Sequence, residues 1–150
     1  MPAPRDRAAS RARLAGHYRL VSSTEHDGGG IPVRRAISGQ TYYDGKGRMW
    51  VLLVPRVSAS ESTKRPAREP RSREARAVGY WGSYDVDEET NTLIHHVEEA
   101  LDHAWAGTNL VRRYELRGNR LTLTFARGDC LLRTVYERMS SANNVIGVPL

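Results

Sequence analysis

Two adjacent histidines, an arginine and a group of tyrosines carry most of the chemistry this chain could do. His95 and His96 lie in Thr92–Glu98, where Leu93, His95 and Val97 alternate with Ile94, His96 and Glu98. Successive side chains of a strand point to opposite faces, so the two imidazoles do not converge on one ion. His17, His26 and His103 form no ligand spacing with them, and a single cysteine adds little, so no metal is expected. With the Leu93 face turned inward, His95 enters an interior and His96 faces water. An inward imidazole serves as a general acid or base near neutral pH, or as a core histidine held by a neighbour. Shifting the pleat by one position would exchange His95 for His96.

Arg112 alternates with Leu110, Tyr114 and Leu116 and also reads as inward. A guanidinium removed from water needs a partner. That partner is an internal carboxylate, a tyrosine network, or an anionic or carbonyl group on a ligand. His95, Arg112 and Tyr84 are the expected catalytic set. Tyr43, Tyr80, Tyr114, Trp50 and Trp105 are the expected ligand-binding groups, since each offers an aromatic surface with a polar tip. Trp50 lies on a strand that is apolar on both faces, so its orientation is open, and Trp105 is a lid or an ordinary end cap. There is no Gly-x-Ser-x-Gly, no phosphate-cradling glycine loop and no dinucleotide fingerprint, and no cofactor is expected. Cys130 opens a strand with no base placed beside it and reads as packing.

The elements that must position these groups are strands. Residues 14–24 alternate, with Leu14, Gly16, Tyr18 and Leu20 on one side. Residues 38–54 form a hairpin about Asp44-Gly45, a pair whose positive φ matches strand twist. Tyr80–Val86, Thr92–Glu98, Leu110–Leu116, Leu121–Phe125 and Leu131–Arg138 continue the pattern, and Ala100–Gly107 is apolar enough for one helical turn. About eight strands with short connections and no long helix argue for an all-β barrel or sandwich.

At 150 residues the chain is one domain with enough length for a core. Its net charge of +6 is concentrated in two segments: residues 1–13 carry +3, residues 56–76 carry +4, and the remainder is −1. Residues 1–13 read as a flexible basic tail, 56–76 as a flexible basic loop, and 139–150 as a C-terminal tail. A nucleic-acid domain would carry its basic stripe on a folded face, so nucleic acid is disfavoured as a partner. No apolar run reaches the ~18 residues of a membrane span, and one cysteine suits a reducing cytoplasm. A monomer or homodimer is expected.

Leu14-Ala-Gly-His-Tyr-Arg-Leu-Val21, Gly39-Gln-Thr-Tyr-Tyr-Asp-Gly-Lys-Gly-Arg-Met49, Tyr80-Trp-Gly-Ser-Tyr-Asp-Val86, Ile94-His-His-Val-Glu98, Trp105-Ala-Gly-Thr108, Leu110-Val-Arg-Arg-Tyr114, Leu121-Thr-Leu123 and Tyr136-Glu-Arg138 follow one another at regular spacing. In this order they resemble the lipocalin-like domain family over residues 14–138. The resemblance implies an up-and-down antiparallel β-barrel of about eight strands with an internal cavity for a small hydrophobic organic ligand. It also implies that Tyr18 and Arg138 close one end of the barrel, with Tyr18 in the place of the tryptophan of true lipocalins. The function expected is small-molecule binding, as a cofactor-independent cyclase or isomerase of an apolar natural-product intermediate. The alternatives are a non-catalytic carrier or sensor, and an interaction module that uses the basic loop.

Overall fold

The structure, a computed structural model, describes residues 4–27, 31–56 and 76–140. Helix α1 (Pro4–Leu14) leads into strand β1 (Gly16–His26), followed by β2 (Val33–Arg34), β3 (Ile37–Tyr43), β4 (Arg48–Pro55), β5 (Val78–Asp87), β6 (Thr92–Ala100), β7 (Asn109–Arg117), β8 (Arg120–Arg127) and β9 (Cys130–Arg138). A single 3-10 turn, His103–Trp105, lies between β6 and β7. All pairings are antiparallel, neighbours in sequence are neighbours in space from β3 to β9, and β1 pairs with both β3 and β9. Eight strands thus close a barrel, which leaves no free edge. The ninth, β2, is a two-residue extension on the far half of β1.

Alternation sets the inside. Tyr80, Tyr84 and Val86 of β5, Leu93, His95 and Val97 of β6, and Leu121 and Leu123 of β8 are buried, while their sequence neighbours reach outward. The pleat of β6 is the one expected, with His95 inside. His96 outside bonds Asp85 and Asn109, each at 2.8 Å. These partners raise its pKa, the Asn109 hydrogen bond most.

Gly82 controls how β5 and β6 fit. A Cβ there would lie 1.9 Å from the His96 carbonyl oxygen, so only glycine fits at this position. Beside it the ladder slips: Gly82 pairs with Val97 but Trp81 with Glu99, leaving Glu98 as a bulge.

The expected tail over residues 1–13 is in large part helix. Its last residue, Leu14, is buried under the barrel, and Tyr18 donates to the Leu14 carbonyl at 2.6 Å. Arg138 donates to the Tyr18 hydroxyl at 2.7 Å and to the Arg13 carbonyl at 2.6 Å, with its guanidinium over the Tyr18 ring. Arg11–Asp85 and Arg13–Glu88 tie α1 to β5 and the turn after it. The helix was hidden because its exposed face is arginine-rich and it carries little apolar periodicity of its own; it is held by its end residue. The 56–76 loop lies, apart from its two terminal residues, outside the described residues, as do residues 141–150.

Candidate ligand-binding site

His95 is among the most deeply buried polar groups of the barrel, 1% exposed. Both ring nitrogens are engaged by tyrosines from other strands: Tyr43 Oη of β3 lies 2.8 Å from Nε2, and Tyr80 Oη of β5 lies 2.7 Å from Nδ1. Burial holds its pKa down to about 3, and Arg112 and His96 push it the same way. The ring is therefore neutral, with one N–H donor and one acceptor nitrogen. One tyrosine must give it a proton and the other must accept one.

The resulting chain runs in either direction without a net charge. When the Tyr80 hydroxyl donates to Nδ1, Nε2–H donates to the Tyr43 hydroxyl. When Tyr43 donates to Nε2, Nδ1–H donates to Tyr80, and the Tyr80 hydroxyl is released to an acceptor elsewhere. An acceptor beside Tyr80 selects the second direction. Both phenols stay protonated: burial drives Tyr43 well above the usual tyrosine range, and it pushes Tyr80 up to about 12 against the opposing pull of Arg112.

Tyr80 and His95 line a cavity of about 230 Å³ at the barrel end opposite α1. Val51, Leu53, Val78, Leu110, Leu123 and Phe125 supply its apolar wall. Trp105, brought over by the 3-10 turn, closes against Tyr80 with ring centroids 5.9 Å apart. The turn is fixed by Asp102, whose carboxylate accepts from the Ala104 amide at 3.0 Å. Arg112 is half-buried in the same wall, its guanidinium carbon 3.7 Å from the centre of the Phe125 ring.

The predicted site residues divide accordingly. His95, Tyr80, Arg112 and Trp105 come together on the cavity, and Tyr43 stands behind His95 as its second partner. Tyr84 lies nearer α1, donates to the Asp44 carbonyl and packs edge-on to Tyr43 at 5.1 Å, outside the cavity. Tyr114 lines a separate, broader hollow beneath α1 with Arg13, Glu88 and Arg113. Trp50 is a clear correction: it sits on the outer face, stacked on Tyr42 and edge-on to His17, so it faces away from the interior.

The sequence reading missed Phe125, Thr134 and Tyr136 as lining residues. Phe125 continues the inward alternation of Leu121 and Leu123, Thr134 and Tyr136 lie on a last strand to which the sequence reading assigns no inward face, and depth along each strand is not carried by the pattern. No described group of His, Cys, Asp and Glu is arranged to hold a metal ion.

The closed meander, the Tyr18–Arg138 closure and the one-ended cavity coincide with a family-model match to the lipocalin-like domain over residues 15–137. The chain belongs to the lipocalin-like domain family. No curated protein matches it. A lipocalin-like barrel is a scaffold for binding small molecules, and the largely apolar cavity agrees with that. Among the described residues, no helix of this lipocalin-like protein is long and apolar enough to cross a membrane.

Proposed function

We propose that this barrel binds a small, largely apolar organic molecule bearing an oxygen acceptor and guides its cofactor-independent cyclisation or isomerisation. One observation carries the reading: the uncharged Tyr43–His95–Tyr80 chain ends on the cavity beside Arg112. A hydroxyl that itself accepts a hydrogen bond is a stronger donor. Tyr80 would thus polarise a ligand oxygen on which negative charge grows as bonds shift, and Arg112 adds a positive field in a dry site. The apolar wall holds a flexible substrate in its reactive fold.

The chemistry is donor-only. His95, at about 3, is no base at neutral pH, and no Asp or Glu lines the cavity among the described residues. The electrons that close a ring or move a double bond come from the substrate itself, so product and substrate are isomers and no co-reactant is consumed. The same lack of a base favours the second reading, a carrier with the same cavity. The lone Cys130 supports a reducing cytoplasm as the setting, and secondary metabolism is the context that suits such a reaction.

Native mass spectrometry of the protein isolated from its own cells tests the reading. The expected result is a bound small molecule, released on unfolding, whose precursor of equal mass is converted by the wild type and about tenfold more slowly by Tyr80→Phe. Binding without conversion selects the carrier. A protein that retains no small molecule but holds nucleic acid or another protein overturns both.

A further inference from the structure

The cavity is electrically lopsided. Arg35, Arg112 and Arg127 line it, and no described Asp or Glu does. Two of the three have polar company at hand: Arg127 lies 3.4 Å from the Glu25 carboxylate, and Arg35 donates to the Ser23 hydroxyl at 3.4 Å. Arg112 has only a neutral polar neighbour: it lies against the Tyr80 hydroxyl and over the face of Phe125, and among the described residues no carboxylate is within ion-pairing distance of it.

An aromatic face attracts a cation but accepts none of its N–H bonds in the way an oxygen does. A guanidinium resting on a ring keeps its planar fork of donors for a group beside the ring. The polar groups nearby, the Tyr80 hydroxyl and the His95 ring bonded to it, are neutral and supply Arg112 with no counter-charge. A half-buried cation without a counter-charge bears a desolvation cost that an anion in the same cavity would offset.

We infer that the occupant of the cavity is an organic acid whose carboxylate docks on Arg112, leaving the Tyr80 hydroxyl for a second oxygen of the same molecule. The inference rests on the small-molecule reading above and narrows its ligand class. A single guanidinium fork matches the two oxygens of a carboxylate, forming a charge-assisted pair. A phosphate, with more charge and more oxygens, would call for further donors converging on the same point. The remaining wall is apolar, and 230 Å³ is about the room of eight liquid waters, enough for a compact hydrocarbon body.

The test uses the full chain and a matched pair of probes, 1-naphthylacetate and its neutral isostere 1-naphthylacetamide, titrated by calorimetry at pH 7.5. The acid is expected to bind about tenfold or more tightly than the amide, as a hydrogen-bonded charge pair requires. In Arg112→Gln the preference of acid over amide should fall to near unity. Arg112→Lys should retain part of the preference, which covers the case in which the glutamine variant does not fold. Equal affinity for the two probes in the wild type would overturn the acid assignment and leave cavity binding standing. A preference that survives in Arg112→Gln would overturn the role of Arg112. Binding of neither probe would overturn the acid assignment and the small-molecule reading together.

Discussion

Tyr80 Oη stands 2.7 Å from His95 Nδ1, although the two residues are not partners in the ladder between β5 and β6. His95 pairs there with Tyr84, and Tyr80 with Ala100. The imidazole reaches along the barrel axis to the tyrosine nearer the cavity and leaves its cross-strand neighbour to bond the Asp44 carbonyl. The bulge at Glu98 and the close approach at Gly82 shape this part of the β5–β6 pairing. A polar group deep in the core is thereby joined to the wall of the apolar cavity.

Removing the Tyr80 hydroxyl separates binding from folding. Tyr80→Phe keeps the ring, its packing on Trp105 and the cavity wall, and loses the donor. Ligand affinity or turnover should fall by about tenfold, the value of one buried hydrogen bond, and the unfolding free energy by about 1–3 kcal/mol, since His95 Nδ1 loses its partner. Tyr43→Phe, which does not touch the cavity, should weaken ligand binding less, by only a few fold, through the loss of relay polarisation. Parallel titrations of the two variants check the order.

His95 makes the fold sensitive to mild acid. Its folded pKa, about 3, lies below the ordinary 6.5, so the unfolded chain binds the extra proton between those values. Stability is full above about pH 6.5 and declines as pH falls toward 3, by about 1.4 kcal/mol per pH unit from this group. His96 acts in the opposite sense: its raised pKa supplies stability that is present below 6.5 and lost as pH rises through the folded value, and its exposure to solvent keeps that effect small. Urea unfolding at pH 7 and pH 5 should therefore show a loss in the wild type and a much smaller one in His95→Gln, which keeps a donor and an acceptor but does not titrate. An unchanged pH slope in His95→Gln would show that other groups govern acid lability.

Much of this was legible in the residues. Period-two alternation places His95 inside and His96 outside and puts Arg112 on the wall, and the family resemblance implies the pairing of Tyr18 with Arg138 at the closed end. What alternation cannot report is depth along the barrel axis. Tyr80, Tyr84 and Tyr114 are equivalent by inward face, and only the closure of one end by Leu14 and α1 sets Tyr80 apart as the one on the apolar cavity. Trp50 failed for a different reason. Strand β4 is apolar on both faces, so its pattern holds no sign of which side is in, and Trp50 went to an outer patch with Tyr42 and His17.

Gly82 is expected to be irreplaceable for the same geometry. In Gly82→Ala the new methyl would meet the His96 carbonyl, backbone that cannot rotate away, so β6 must shift. A destabilisation on the order of 2 kcal/mol or more is expected, in the range of overpacked cores. Because the shift passes through His95, ligand affinity should fall even where the variant remains folded. Thermal unfolding followed by a ligand titration on the folded fraction checks both parts.

The three tryptophans offer a direct reading of where the ligand sits. Trp105 lines the cavity and packs on Tyr80, Trp50 is stacked on the outer wall, and Trp81 is 52% exposed. A ligand in the cavity should quench or shift the emission of Trp105 and leave the other two unchanged. Trp105→Phe should therefore abolish most of the fluorescence response, with affinity lowered by about tenfold or less, since phenylalanine restores part of the apolar lid. Trp50→Phe should retain both the response and the affinity. A response that follows Trp50 instead would move the ligand to the outer face and would leave the Tyr43–His95–Tyr80 chain a structural feature of the core.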